Sequence, residues 1–190
     1  RPRPYSSHQH TPTHTPPNTP TACTDKLLQN DPSFVELSLE RLGENFDLEE
    51  FVHALRHNCT VRHVCFSGTF VRELAPAQWR TMLESIAHLS TLEELQIWWC
   101  GIPTDVEAQA VRCSKHLKKV YFFRVALGGN QADMDGLGEA FRGHPSLRDV
   151  RIGGFSLTNP HVTVDGMVEG LAQIQQLQVL SLQLSSSQGT

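Results

Sequence analysis

Several kinds of segment are missing from this chain, and each absence removes a class of function. No apolar run among its 190 residues approaches the ~20 that a membrane helix requires. Arg1 and Arg3 are followed by no apolar stretch, so no secretory leader is read. The chain opens with Arg rather than Met, which fits a fragment or a processed product. Lys and Arg total 16 against 20 Asp and Glu, a formal charge of −4, so no basic field exists to hold nucleic acid. Cysteines number five: Cys23, Cys59, Cys65, Cys100 and Cys113. The count is odd, the spacing is wide and C-x-x-C is absent, a pattern of reduced, packed thiols in a cytoplasmic or nuclear setting. The alternatives are a Cys59–Cys65 disulfide or a reactive thiol.

Catalytic signatures are missing too. There is no G-x-x-x-x-G-K-[ST], no G-x-S-x-G and no metal-ligand cluster. Carboxylates, His and Ser are plentiful, but no spacing sets a nucleophile beside a base. Gly128-Gly129-Asn130 and Gly136-x-Gly138 are isolated glycine pairs that do not indicate phosphate binding. The chain is therefore expected not to be an enzyme and to use no cofactor, metal or small-molecule substrate. Asn58-Cys59-Thr60 matches a glycosylation sequon, but it lies in a turn that recurs along the chain and has a structural explanation.

What is present falls into two parts. Residues 1–24 hold six of the eleven prolines, are rich in Thr, contain His8, His10 and His14, and include no acid. With almost nothing apolar to bury, they are predicted to form a disordered tail with polyproline character. Without this tail, 14 basic residues face 20 acidic ones, and the body stands at −6.

Residues 25–190 repeat one phrase six times. Phe34-x-x-Leu37-x-Leu39 returns as Val61-x-x-Val64-x-Phe66, Leu92-x-x-Leu95-x-Ile97, Leu117-x-x-Val120-x-Phe122, Leu147-x-x-Val150-x-Ile152 and Leu177-x-x-Leu180-x-Leu182. The steps are 27, 31, 25, 30 and 30 residues, the range of solenoid repeats. Segments of helical period lie between the phrases. Residues 47–55 have Asp47 as N-cap with Glu50 three residues on. Residues 76–89 align Trp79, Met82, Leu83, Ile86 and Leu89; residues 104–115 align Val106, Ala110, Val111 and Cys113. Residues 131–142 align Met134, Leu137 and Phe141; residues 164–174 align Met167, Val168, Leu171 and Ile174. A strand–helix unit of this size cannot bury both faces alone, but stacked neighbours can, with the strands in a parallel sheet and the helices behind it.

The third repeat, Leu92-Glu-Glu-Leu95-Gln-Ile97-Trp-Trp-Cys100-Gly-Ile102, resembles the leucine-rich-repeat consensus L-x-x-L-x-L-x-x-N/C-x-L at every fixed position. The unit length and the helix in each repeat resemble the ribonuclease-inhibitor-like subclass. The resemblance implies an α/β horseshoe solenoid of about six strand–helix repeats, with a parallel concave sheet and convex helices. It departs from the family at the Asn/Cys position, filled by Leu42, Thr69, Cys100, Val125, Phe155 and Ser185. The loops after repeats one, four and five are therefore expected to be irregular, and Gly128-Gly129 and Gly153-Gly154 fit such turns. The ends carry no recognisable capping repeat, as expected of part of a longer protein.

Strand alternation divides the phrase into inward and outward positions. The outward columns gather Trp98, Tyr121 and Phe123 on adjacent strands, with Arg151 and Lys119 on one side and Glu36, Glu40 and Glu94 toward the other; His63 and Cys65 lie on the same face. Trp99 is predicted to point into the core. Aromatics ringed by charge have the composition of a protein-binding patch. Trp98, Tyr121, Phe123, Arg151, Lys119, Glu94, His63 and Glu40 are thus the candidate contacts for a protein partner, with no role for membrane or nucleic acid. Relatives in the resembled subclass include GTPase-activating proteins and receptor sensor arms, and a spacer without a ligand of its own is the third possibility.

Overall fold

The computed structural model describes residues 20–41, 46–67, 74–98, 102, 104–123, 126–127, 130–157, 159 and 161–184. Among them the elements follow in the order α1 (Pro20–Leu28), β1 (Glu36–Leu39), α2 (Leu48–His57), β2 (His63–Phe66), α3 (Pro76–Ala87), β3 (Glu94–Trp98), α4 (Thr104–Cys113), β4 (Lys119–Phe123), β5 (Ala126–Leu127), α5 (Gln131–Phe141), β6 (Asp149–Leu157), α6 (Asp165–Ala172) and β7 (Val179–Leu184). The fold is α/β, a repeating strand–helix array. β1, β2, β3, β4, β6 and β7 pair side by side, all parallel, and β5 continues the β4 register along β6. Each helix packs against the next in the chain.

The repeated phrase governs this arrangement. Leu37, Leu39, Val64, Phe66, Leu95, Ile97, Val120, Phe122, Val150 and Ile152 all point inward and are buried, forming one core with the helix residues. Phe66 meets Trp79 edge-on, 5.3 Å between centroids, tying β2 to α3. The second residue of each phrase joins one repeat to the next. The Val35 carbonyl accepts from the Arg62 and His63 N–H groups at 2.8 and 3.1 Å. Arg62, Glu93, Lys118 and Arg148 repeat this two-fold acceptance at the following junctions. Capping follows local chemistry: Asp47 Oδ1 accepts from the Glu49 and Glu50 N–H groups at the start of α2, and Asn130 Oδ1 from Asp133 at the start of α5.

Four expectations change. The tail does not extend to residue 24, because α1 begins at Pro20 and buries Cys23 and Leu27 in the core; the remainder, with His8, His10 and His14, lies outside the described residues. Cys113 is exposed at the end of α4, whereas Glu107 is buried on that helix. Val168 is 42% exposed on α6, and on β7 Leu180 and Leu182 are 47% and 38% exposed, because β7 pairs only with β6 among the described residues. Gly153-Gly154 lie within β6 rather than in a loop; Gly154 takes φ +63° at a bulge in the β6–β7 ladder. Trp99, Gly128-Gly129 and the Asn/Cys positions fall outside the residues or side chains described.

The turn before each strand has a pattern that the sequence reading overlooked. Three residues ahead of each phrase stand Asp31, Asn58, Leu89, Ser114, His144 and Ile174. At 31, 89, 114 and 174 the backbone carbonyl accepts the first N–H of the phrase. At Asn58 and His144 the side chain does so instead: Asn58 Oδ1 accepts from Thr60 and Val61, and His144 Nδ1 from Ser146 and Leu147. Each side chain also reaches back one repeat. Asn58 Nδ2 donates to the Leu27 carbonyl at 3.1 Å, and His144 Nε2 donates to the Ser114 carbonyl at 3.1 Å. The buried Asn58 amide is thereby occupied, which accounts for the sequon motif structurally.

His144 must be neutral to accept at Nδ1, and burial holds its pKa below the ordinary imidazole value of 6.5. Its stabilising contribution is present in full above that value and is lost as pH falls through the depressed folded one. His144→Ala is expected to cost about 2 kcal/mol in urea unfolding at pH 7, since it strands the buried Leu147 N–H and the Ser146 N–H. His144→Asn should recover more than half of that, as Asn fills the role at residue 58. An Asn variant no more stable than the Ala variant would refute the assigned hydrogen-bonding role.

Candidate protein-binding face

The outward positions of the six parallel strands form three rows across the sheet. Cα register aligns Glu36, His63, Glu94, Lys119, Asp149 and Val179 in the first, and Ser38, Cys65, Gln96, Tyr121, Arg151 and Ser181 in the second. The third aligns Trp98, Phe123, Gly153 and Gln183. The inward neighbours fix these positions, because a strand with buried Leu, Val, Ile and Phe at alternate positions has no choice about what it turns outward.

Six of the predicted residues come together. Trp98 and Phe123 stack, 4.4 Å between ring centroids and 20° apart in plane, both partly exposed. Gly153 makes room for the stack: a Cβ there would lie 2.8 Å from Cδ1 and Cε1 of Phe123. Trp98 Nε1 donates to Gln96 Oε1 at 3.0 Å, and Gln96 Nε2 donates to Glu94 Oε1. The other oxygen of Glu94 takes the Lys119 ammonium at 3.0 Å. On the far side Tyr121 donates to Asp149 Oδ2 at 2.9 Å. Arg151 grips the same carboxylate with Nε and Nη2 at 2.9 and 3.0 Å, and its guanidinium lies 5.1 Å from the Tyr121 ring centroid. Two short polar chains thus hold the aromatic patch in place. His63 and Glu40 lie away from it: His63 is exposed on β2 between Glu36 and Glu94, and Glu40 is exposed just after β1.

Sequence reasoning placed these positions on the outward side of the strands but left Asp149, Gln96 and Gly153 out of the candidate site. Asp149 and Gln96 occupy outward positions of the phrase, a signal that was available; the role of Gly153 depends on where the Phe123 ring falls.

The ionisable groups of the face are poor nucleophiles. Burial first, and then the Glu36 carboxylate, push the Cys65 thiol up to about 12, so it stays protonated at neutral pH. Burial and the Asp149 carboxylate push the Tyr121 phenol up to about 12, leaving it a hydrogen-bond donor. Cys23, Cys59, Cys65 and Cys113 are free thiols, so no Cys59–Cys65 disulfide forms. Among the described residues no group of three or more His, Cys, Asp or Glu side chains is arranged to hold a metal, and no helix is long and apolar enough to cross a membrane. No protein-family model matches the chain, and no curated protein matches it.

Proposed function

We propose that this chain is a leucine-rich-repeat solenoid of the ribonuclease-inhibitor-like kind, acting as a protein-binding scaffold through the outward, concave face of its parallel sheet. The observation that carries this reading is the Trp98–Phe123 stack, partly exposed and held between the Glu94–Lys119 and Asp149–Arg151 ion pairs. Large aromatics fixed before a partner arrives lose little conformational freedom on binding, and they dominate the energy of most protein interfaces. The face binds and orients; no bond is made or broken on it. The free thiols suit a cytoplasmic setting.

The test is partner recovery on immobilised domain, with circular dichroism as the control for folding. Trp98→Ala is expected to weaken capture about 30-fold, corresponding to about 2 kcal/mol for an interface anchor. Tyr121→Ala and Arg151→Ala should each weaken it about ten-fold. Unchanged capture by all three folded variants would rule out this face as the binding surface.

A further inference from the structure

The last two turns of α2 carry two histidines, His53 and His57, four residues apart. That spacing sets them one above the other on one side of the helix. Both are exposed. Their ring centroids are 4.3 Å apart, with the planes inclined at 41°. His57 Nδ1 lies 2.8 Å from the His53 carbonyl oxygen. A carbonyl only accepts, so Nδ1 carries the proton in this contact, and in the neutral ring the lone pair is left on Nε2. Histidines that ligate metals are oriented in this way, with the second ring nitrogen donating to a backbone carbonyl or a carboxylate. The His53 ring makes no hydrogen bond among the described residues and is free to turn toward its neighbour. Arg56 does not cover the pair, because it reaches across to α3, where its Nε donates to Ser85 Oγ at 3.2 Å.

We propose that His53 and His57 form a chelating site for a divalent late transition-metal cation, Ni²⁺ or Cu²⁺, on α2. Neutral imidazole is a natural ligand for these ions, whereas Mg²⁺ and Ca²⁺ take oxygen ligands. With a metal–nitrogen distance of about 2.1 Å, each ring centre stands about 3.2 Å from the ion. Two imidazoles at adjacent corners of a square or an octahedron then have centres about 4.5 Å apart, and a tetrahedral pair about 5.2 Å. The 4.3 Å separation fits adjacent corners, the geometry of Cu²⁺ and Ni²⁺ rather than of tetrahedral Zn²⁺. Among the described residues no third His, Cys, Asp or Glu completes a set, so the bound ion keeps water at its other positions and the site is open and exchangeable. Two ligands rather than a cluster is also why the sequence reading expected no metal. The ion sits in the last turn of α2, where the helix dipole favours positive charge. By tying residue 53 to residue 57 it stabilises a helix that packs between α1 and α3.

Urea unfolding of the full chain, with and without Ni²⁺ at about 1 mM, tests the site, since an ion that binds the folded pair better than the unfolded chain raises the midpoint. Ni²⁺ should raise it and Mg²⁺ should not. His53→Gln and His57→Gln, each at an exposed position, should each abolish the rise, read as the difference with and without Ni²⁺ within each variant. NMR titration with Ni²⁺ should place the perturbed amides in residues 53–57 of the parent and show affinity there falling at least ten-fold in either variant. The chain's other candidate ligands, His8, His10 and His14, are separated by the triple substitution His8→Gln, His10→Gln and His14→Gln, which should keep the rise. No rise with Ni²⁺, an equal rise with Mg²⁺, a rise that survives either helix substitution, or one lost in the triple variant overturns the paired site.

Discussion

Gly170→Ala is expected to destabilise the fold by about 3 kcal/mol, and Gly138→Ala by a similar amount, the upper end for forcing extra volume into a packed interior. The two glycines face each other where α5 meets α6. A Cβ on Gly170 would lie 2.0 Å from the Gly138 carbonyl oxygen, and one on Gly138 would lie 2.1 Å from the Gly166 carbonyl oxygen. The obstructing atoms are backbone, so no side-chain rotation relieves the clash; the helices must move apart. Separation would loosen Met134, Leu137, Phe141, Met167 and Leu171, all buried on these two helices. Gly136, two residues earlier on α5, provides the control. A Cβ there meets nothing within 4 Å, so Gly136→Ala should gain about 0.5–1 kcal/mol from helix propensity. Urea denaturation of the three variants reads the effect directly. A Gly138→Ala protein as stable as Gly136→Ala would mean that the helices do not approach this closely.

These glycines mark where sequence reading ended. Gly136-x-Gly138 was visible as a pair, but which member is confined depends on the path of α6, some 30 residues downstream. The phrase, by contrast, was legible because its period is local: Leu37 and Leu39 bury, and Glu36 and Ser38 face outward, for reasons contained in four residues of strand. The same reasoning oriented the aromatic patch, but it could not pair Lys119 with Glu94 or lay Arg151 on Tyr121, since both contacts depend on side-chain reach. Leu180 and Leu182 fit the pattern and are nonetheless exposed, because burial belongs to stacked neighbours rather than to the phrase itself. Asn58 and His144 form an intermediate case. Aligned on the repeat they share one position, so their role was present in the sequence, although only the folded structure brings each back onto the preceding repeat.

Glu107→Met is expected to stabilise the protein by about 2 kcal/mol at pH 7. Glu107 stands between Val106 and Ala108 on α4, fully buried, and among the described residues neither carboxyl oxygen has a hydrogen-bond partner. A buried polar group without a partner costs about 1–3 kcal/mol by the measure of protein substitutions, and Met fills nearly the same space without that cost. Burial, and secondarily the charge of Asp105, raise the carboxyl pKa well above the ordinary 4.5. The folded state therefore holds a proton that the unfolded chain releases once the pH passes 4.5. In that window the native protein binds more protons than the unfolded one, so stability falls as pH rises, by up to about 1.4 kcal/mol per unit, until the raised folded value is passed. His144 acts in the opposite direction below about 6.5, where stability grows with pH. The two slopes partly cancel in the parent and separate in the variants. Glu107→Gln should leave a profile that only rises with pH through this range, and His144→Asn one that only falls. Denaturant midpoints between pH 4.5 and 8 decide the matter: a Met variant less stable than the parent, or a Gln variant whose profile matches the parent's, would mean that Glu107 is not a buried carboxyl without a partner.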